Sequence, residues 1–388
     1  MASRVITCSR SVRSLPNSFP TGITIPCGRI TNTVEDAQGV IKELNGQVFL
    51  KPQVLLGSQQ YDIAKSVQDG KESAARLLDH QGETASRTDG LPATNQLYVE
   101  EAINFDKKWH VAMTVDRENY CPVIRIQELS VPAEPLRPQE TLGSQQKFAF
   151  SLSTGISDSL VTDISKSVHL SMDSSESFTQ ILRGLFKIFS EKEAINLELD
   201  LLRTSDNQLV CADSRFSFDD AAQKRQPDLF ALRDSEHEVR EEVDAEKHGL
   251  VYVRMEGNIG NVVNGAGLAM ATNDAISLYG GTSANFLDAG GQATKETMLQ
   301  AFGIIMRDER VKAILVNIYG GITRCDMIAE SIIAAASELG PLHVPMVARL
   351  QGTNSEAGLK LLADADLGIH VEADFGEAAR KAVELTKQ

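Results

Sequence analysis

The chain has 388 residues, more than one hydrophobic core ordinarily fills, so two or three domains are expected. Its formal net charge of −15, from 38 Lys and Arg against 53 Asp and Glu, argues against a nucleic-acid surface, which needs clustered positive charge. No window holds the roughly eighteen uninterrupted apolar residues of a spanning helix, so no membrane span is expected. Five scattered cysteines without a Cys-x-x-Cys pair point to neither a disulfide framework nor a zinc site.

In chain order, residues 1–20 carry Arg4, Arg10 and Arg13, five serines and no acid. That is the composition of a mitochondrial presequence, from which the mitochondrial matrix is the expected location; a disordered basic N-terminus is the other reading. From Gly22 the pattern gives a strand, a helix near Asp36 to Leu44, and a strand Gln47 to Lys51, a small α/β unit. Read from the residues alone, Lys51 is a solvated lysine at a strand end. Residues 82–90 read as an exposed link, and two strands follow at 96–100 and 110–116.

The serine-rich stretch 151–177 has little amphipathic character until Phe178, Ile181, Leu182, Leu185, Phe186 and Phe189 mark a core-facing helix. A hairpin follows, 194–202 and 209–213, with Glu198 and Asp200 on one face of its first strand. A turn centred on Ser205-Asp206 sets Glu198 opposite Asp213. Facing carboxylates repel unless a cation lies between them, and oxygen ligands of this kind suit Mg²⁺; a solvent-facing acidic hairpin is the other reading. Segment 234–248 is a charged connector, and the first domain spans 21–248, the second 249–388.

The second domain alternates strands near 250–255, 285–288, 313–318, 344–349 and 369–372 with helices near 267–278, 295–307, 324–339, 355–364 and 375–386. Strict alternation calls for a parallel, doubly wound sheet, and the flavodoxin-like order 2-1-3-4-5 sets the turns at 257–265 and 320–323 side by side. The stretch GNIGNVVNGAGLAM at 257–270 follows the apolar run from Leu250 to Val253, so it reads as a glycine-rich turn opening a helix. Gly257, Gly260, Gly265 and Gly267 would let backbone approach an anion, with Asn264 adding an amide. Met270 stands where the dinucleotide fingerprint needs a small residue, so NAD is not indicated. The run VNIYGGITRCDMIAESIIAAA from Val316 repeats the strand, Gly-Gly turn and helix, and the two loops together read as a phosphate or carboxylate site.

GNIGNVVNGAGLAM, NFLDAGGQATKE at 285–296 and VNIYGGITRCDMIA closely resemble the C-terminal domain of the β subunit of succinate–CoA ligase, in order and from about Val251 onward. The first half resembles an ATP-grasp domain. The fold class implied is α/β, an ATP-grasp domain followed by a flavodoxin-like CoA-ligase domain. The resemblance carries substrate positions onto Asn264, Gly321, Ile322 and Thr323. Nucleotide positions fall on Lys51, Glu100, Ile103 and Lys108, and Mg²⁺ positions on Asp200 and Asp213.

The family's Gly-Arg-Gly loop is replaced by Pro52 to Gln60, a family glutamate falls on Lys108, and the family's Glu-Ile-Asn-Pro reads Glu198-Leu199-Asp200-Leu201. The implied cofactors are Mg²⁺ with ATP/ADP or GTP/GDP. CoA would be bound mainly by an α subunit, which supplies the phosphohistidine in a heterodimer or heterotetramer. The implied function is interconversion of succinate plus CoA and succinyl-CoA. The alternatives are a nucleotide-deficient paralogue that partners α and a relative acting on malate or citrate.

Overall fold

The structure is a computed structural model that describes residues 4–7, 24–45, 47–53, 61–83, 96–129, 144–170, 174–233, 235, 238–291, 293–338 and 343–387. The loop at 55–60, most of the link at 82–90 and residues 8–20 lie outside the described residues. Contacts divide the chain into two compact units that part between Asp234 and Ser235.

In chain order the first unit runs β1 Arg4–Thr7, β2 Gly28–Thr31, α1 Val34–Glu43, β3 Val48–Pro52, β4 Asp62–Ala64, α2 Val67–Glu83 and β5 Leu97–Glu101. It continues with β6 Lys107–Asp116, β7 Cys121–Leu129, β8 Gln146–Ala149, α3 Asp158–Ser167, α4 Ser175–Glu191, β9 Ala194–Arg203, β10 Leu209–Phe218 and α5 Pro227–Phe230. Two antiparallel sheets result, a four-stranded one in the order β2-β5-β3-β4 and a six-stranded one in the order β1-β10-β9-β6-β7-β8.

Helix α1 begins where Thr33 accepts a hydrogen bond from the Asp36 N–H, and it buries Ala37, Val40 and Ile41 against Val48, Leu50, Leu97 and Val99. On the larger sheet α4 buries Phe178, Ile181, Leu182, Leu185, Ile188 and Phe189 against Trp109, Val111, Leu197 and Leu199. Each such side chain contributes about 1.5–3 kcal/mol of burial, which fixes the sheet that carries Lys108, His110, Asp200 and Asp213. Helix α3 occupies part of the serine-rich stretch. Its buried residues are only Val161 and Ile164, with Leu160 partly buried beside them, but Ser157 caps it by accepting from the Leu160 N–H.

The second unit runs α6 Arg240–Lys247, β11 Val251–Arg254, β12 Ile259–Val263, α7 Ala266–Leu278, β13 Asn285–Asp288, α8 Lys295–Met306, β14 Ala313–Gly320 and α9 Cys325–Glu338. It ends with β15 Met346–Gly352, α10 Ser355–Asp364, β16 His370–Val371 and α11 Phe375–Leu385. The charged connector thus contains a helix of this unit: Ala245 is buried with Leu250 and Tyr252, and Glu242 accepts from the Arg254 N–H at 3.0 Å.

The sheet order is β11-β13-β12-β14-β15-β16. Strands β12 to β16 are mutually parallel, and only β11 runs antiparallel, on β13. Counted from β12, the parallel strands follow the order 2-1-3-4-5 that the sequence predicts. Alternation along β14 feeds both faces: Ile314, Val316 and Ile318 pack toward α8 and α9, while Ala313 and Leu315 pack toward α11.

One strand assignment changes. The run at 250–255 is the antiparallel edge strand β11, and the first parallel strand, β12, comes from the glycine-rich stretch itself. Gly257 and Gly260 therefore serve packing rather than a ligand. A Cβ on Gly257 would lie 2.2 Å from the Thr282 carbonyl carbon, and one on Gly260 2.5 Å from Ile305. The actual turn is Asn264-Gly265, with Gly265 at φ 103°, a conformation that only glycine adopts without strain.

Candidate functional site

In the second unit three loops meet at the carboxyl ends of β12, β13 and β14. Strand β12 pairs with β14 as far as Val263 opposite Asn317. There the backbone turns away at Gly265, and the Asn264 side chain continues the ladder. Its Nδ2 donates to the Tyr319 carbonyl at 2.9 Å, and its Oδ1 accepts from the Tyr319 N–H at 2.9 Å. Asn285 does the same one strand over, pairing with both backbone groups of Asn261 at 2.9 Å. A primary amide has the donor and acceptor spacing of a peptide unit, so each asparagine adds a rung where backbone cannot.

Asp288, at the end of β13, ties the next edge. One carboxylate oxygen accepts from the Gly265 N–H at 2.6 Å and from the Gly290 N–H at 2.7 Å. The third edge is Thr323, whose hydroxyl donates to the Gly291 carbonyl at 2.9 Å. Loops 264–265, 288–291 and 319–323 are thus joined pairwise into a closed ring.

Of the predicted substrate positions, Gly321 and Ile322 are exposed, Asn264 is half-buried and Thr323 is buried. Thr323 therefore positions the loop and does not offer its hydroxyl outward. Ala266 and Gly267, in the first turn of α7, are exposed, and no side chain caps that helix. The ring presents the first-turn amides of α7 beside an exposed glycine, with the Asp288 carboxylate already held on the Gly265 N–H. That arrangement suits a carboxylate or phosphoryl group and needs no titrating side chain.

The first unit assembles its predicted residues differently. Lys51 is buried, not solvated: its Nζ lies 2.5 Å from Glu100 Oε1 and donates to the Ala212 carbonyl at 3.2 Å. Ala212 is the extra residue of a bulge in β10. The hairpin loop is 204–208, as the sequence predicts, but with Arg203 opposite Leu209 it is centred on Asp206 rather than between Ser205 and Asp206. Loop and bulge together shift the register by two residues. Asp200, not Glu198, faces Asp213, and Glu198 faces Arg215. Asp213 accepts from the Ser214 N–H at 3.0 Å, and Ile103 is half-buried between β5 and β6.

Asp200 also faces His110 across β9 and β6. Lys108 Nζ stands 2.9 Å from one oxygen of Asp200, and His110 Nδ1 stands 2.8 Å from the other. Burial alone would raise the Asp200 carboxyl, but the His110 hydrogen bond and the Lys108 charge outweigh it and hold the group below its ordinary value. The same hydrogen bond raises His110 against the effect of burial. His110 escaped the sequence reading, although a period of two sets it on the face of Lys108. Asp288 escaped too, although it ends a strand where open α/β sheets gather ligands.

Two family models match, the ATP-grasp domain over residues 19–203 and CoA-ligase over 262–383. The succinate–CoA ligase [ADP-forming] subunit beta of Burkholderia thailandensis is 37% identical over 369 residues, covering 93% of this chain and 95% of that protein. The chain belongs to the succinate–CoA ligase β-subunit family. The subunit of the same description from Ehrlichia chaffeensis is 35% identical over 377 residues, 95% of this chain and 96% of its own length. Among solved structures, ATP citrate lyase from Methanothrix soehngenii, in complex with citrate and coenzyme A, aligns at a TM-score of 0.70. It is 16% identical, covers 99% of this chain and 100% of that one, and shares the fold.

Membership of this family implies nucleotide and Mg²⁺ use. Tested against the donor set, Mg²⁺ does not fit Asp200: one oxygen is already neutralised by the Lys108 ammonium at 2.9 Å, whose charge repels a second cation, and His110 holds the other at 2.8 Å. Among the described residues no three His, Cys, Asp or Glu side chains cluster as a metal site. No described helix is long and apolar enough to cross a membrane.

Proposed function

We propose that this chain is the β subunit of a succinate–CoA ligase, acting with an α subunit that carries the phosphohistidine and binds CoA. The observation that carries the reading is the ring of loops at 264–265, 288–291 and 319–323. It holds the Asn264 and Gly321–Thr323 positions rigid while leaving Ala266, Gly267 and Gly321 at the surface. Such a surface is half of an anion site. Backbone amides and a helix terminus steady a carboxylate or phosphoryl group, and the partner supplies the group that reacts. The overall reaction is succinate, CoA and a nucleoside triphosphate going to succinyl-CoA, nucleoside diphosphate and phosphate.

A second reading is supported by the Lys108–Asp200–His110 cluster: the chain pairs with α and shapes the acyl site but contributes little nucleotide activation. Co-expression with a family α subunit tests both. Co-elution with succinyl-CoA formation driven by ATP or GTP supports the ligase, co-elution without turnover supports the paralogue, and free monomers at micromolar concentration overturn both. Malate and citrate run beside succinate identify the acid. Location in the mitochondrial matrix belongs to this proposal on the composition of residues 1–20, and fusing those residues to a fluorescent protein checks it.

A further inference from the structure

We propose that the Lys108 ammonium is the resident cation at Asp200, which stands opposite Asp213 in register, so the first unit recruits no divalent metal through Asp200. The pair faces across neighbouring strands, β9 and β10, and like charges so placed destabilise a sheet unless neutralised. Neutralisation is built in. Lys108 lies on β6, which pairs with the other edge of β9, and reaches Asp200 at 2.9 Å, while His110, two residues on, occupies the second oxygen at 2.8 Å.

Lys108 and Asp200, far apart in sequence, are the two ends of one ion pair. A divalent ion arriving at Asp200 would meet the ammonium at close range and would have to displace it. Mg²⁺ tolerates this least, because it demands near-octahedral oxygen geometry and gives up its waters reluctantly.

The inference concerns the metal alone and stands apart from the ligase reading, so its test uses the full chain without nucleotide or acyl substrate, alone and with the α partner. Mn²⁺ binding is followed by the loss of the free-ion electron paramagnetic resonance signal. The unaltered chain is expected to show no Mn²⁺ site tighter than about 1 mM. Lys108→Met should gain one site, at least about tenfold tighter, which is lost again in Lys108→Met with Asp213→Asn. Lys108→Gln serves equally where the methionine variant fails to fold. An Mn²⁺ site in the unaltered chain that Asp213→Asn abolishes overturns the proposal, as does failure of the folded Lys108 variants to gain one.

Discussion

Asn264 and Tyr319 exchange two hydrogen bonds of 2.9 Å, so a side-chain amide takes the place of a peptide unit where β12 leaves the sheet. Asn264→Ala removes both bonds. Because Tyr319 is exposed, water replaces part of the loss, and the second unit should lose about 1–2 kcal/mol. Asn264→Asp keeps the acceptor for the Tyr319 N–H but sets a carboxylate against the Tyr319 carbonyl, so it should cost at least as much at neutral pH. Denaturant titrations of the three proteins measure this. An alanine variant as stable as the parent would show that the pairing adds nothing.

The loop after β14 is held by backbone approaching backbone. Gly352 has φ 91°, and a Cβ there would lie 2.1 Å from the Gly320 carbonyl oxygen. Gly352→Ala should therefore destabilise the second unit by about 3 kcal/mol or more, through both the clash and the disfavoured backbone angle. Gly267 is the contrasting case, exposed in the first turn of α7 with nothing within 4 Å of its would-be Cβ. Gly267→Ala should be neutral or stabilise by up to about 1 kcal/mol. Thermal melts ranking the two the other way round would refute this account of the glycines.

Lys51 and Glu100 form a buried ion pair whose lysine also takes the carbonyl of the bulged Ala212. Removing one partner of such a pair strands a charge away from water, so Lys51→Met and Glu100→Gln should each cost about 3–5 kcal/mol. Replacing both together should cost clearly less than the sum of the two. A double-mutant cycle on the unfolding free energy reads the coupling, and simple additivity would mean the two groups act independently.

Legibility followed the range of the signals. Helices α4, α7, α8, α9 and α11 and the parallel order from β12 to β16 rest on long apolar periodicities, which one sequence displays. Strand β12 was hidden because Gly260 within it and Gly257 before it look like turn chemistry, whereas they admit the Ile305 side chain and the Thr282 backbone, partners distant in sequence. The hairpin register failed for a similar reason. The loop at 204–208 was legible, but its pairing centre at Asp206 and the bulge at Ala212 leave no compositional mark, and they exchange Glu198 for Asp200 opposite Asp213. The substrate loops were legible as motifs, but the ring of Asn264, Asp288 and Thr323 that holds them depends on three strand ends meeting in space.

Asp326 gives the second unit a measurable dependence on acid. Its carboxylate takes a two-point ion pair from Arg324, accepts from Asn354 Nδ2 at 3.1 Å and from the Met327 N–H at 3.0 Å, and sits in the first turn of α9. The Arg324 hydrogen bonds are the main reason its carboxyl lies well below the ordinary 3.8, outweighing the opposing effect of burial. Because the folded value is the lower one, the group stabilises the fold fully above the unfolded value of 3.8, and that stabilisation is lost as pH falls through the folded value. The difference in unfolding free energy between the parent and Asp326→Asn should thus be constant from pH 7 down to about 5 and shrink steadily below about 4. Denaturation across that range, followed by circular dichroism, provides the comparison. A difference that stays constant down to about pH 2, or widens as pH falls, would show that Arg324 and Asn354 do not hold the carboxylate as described.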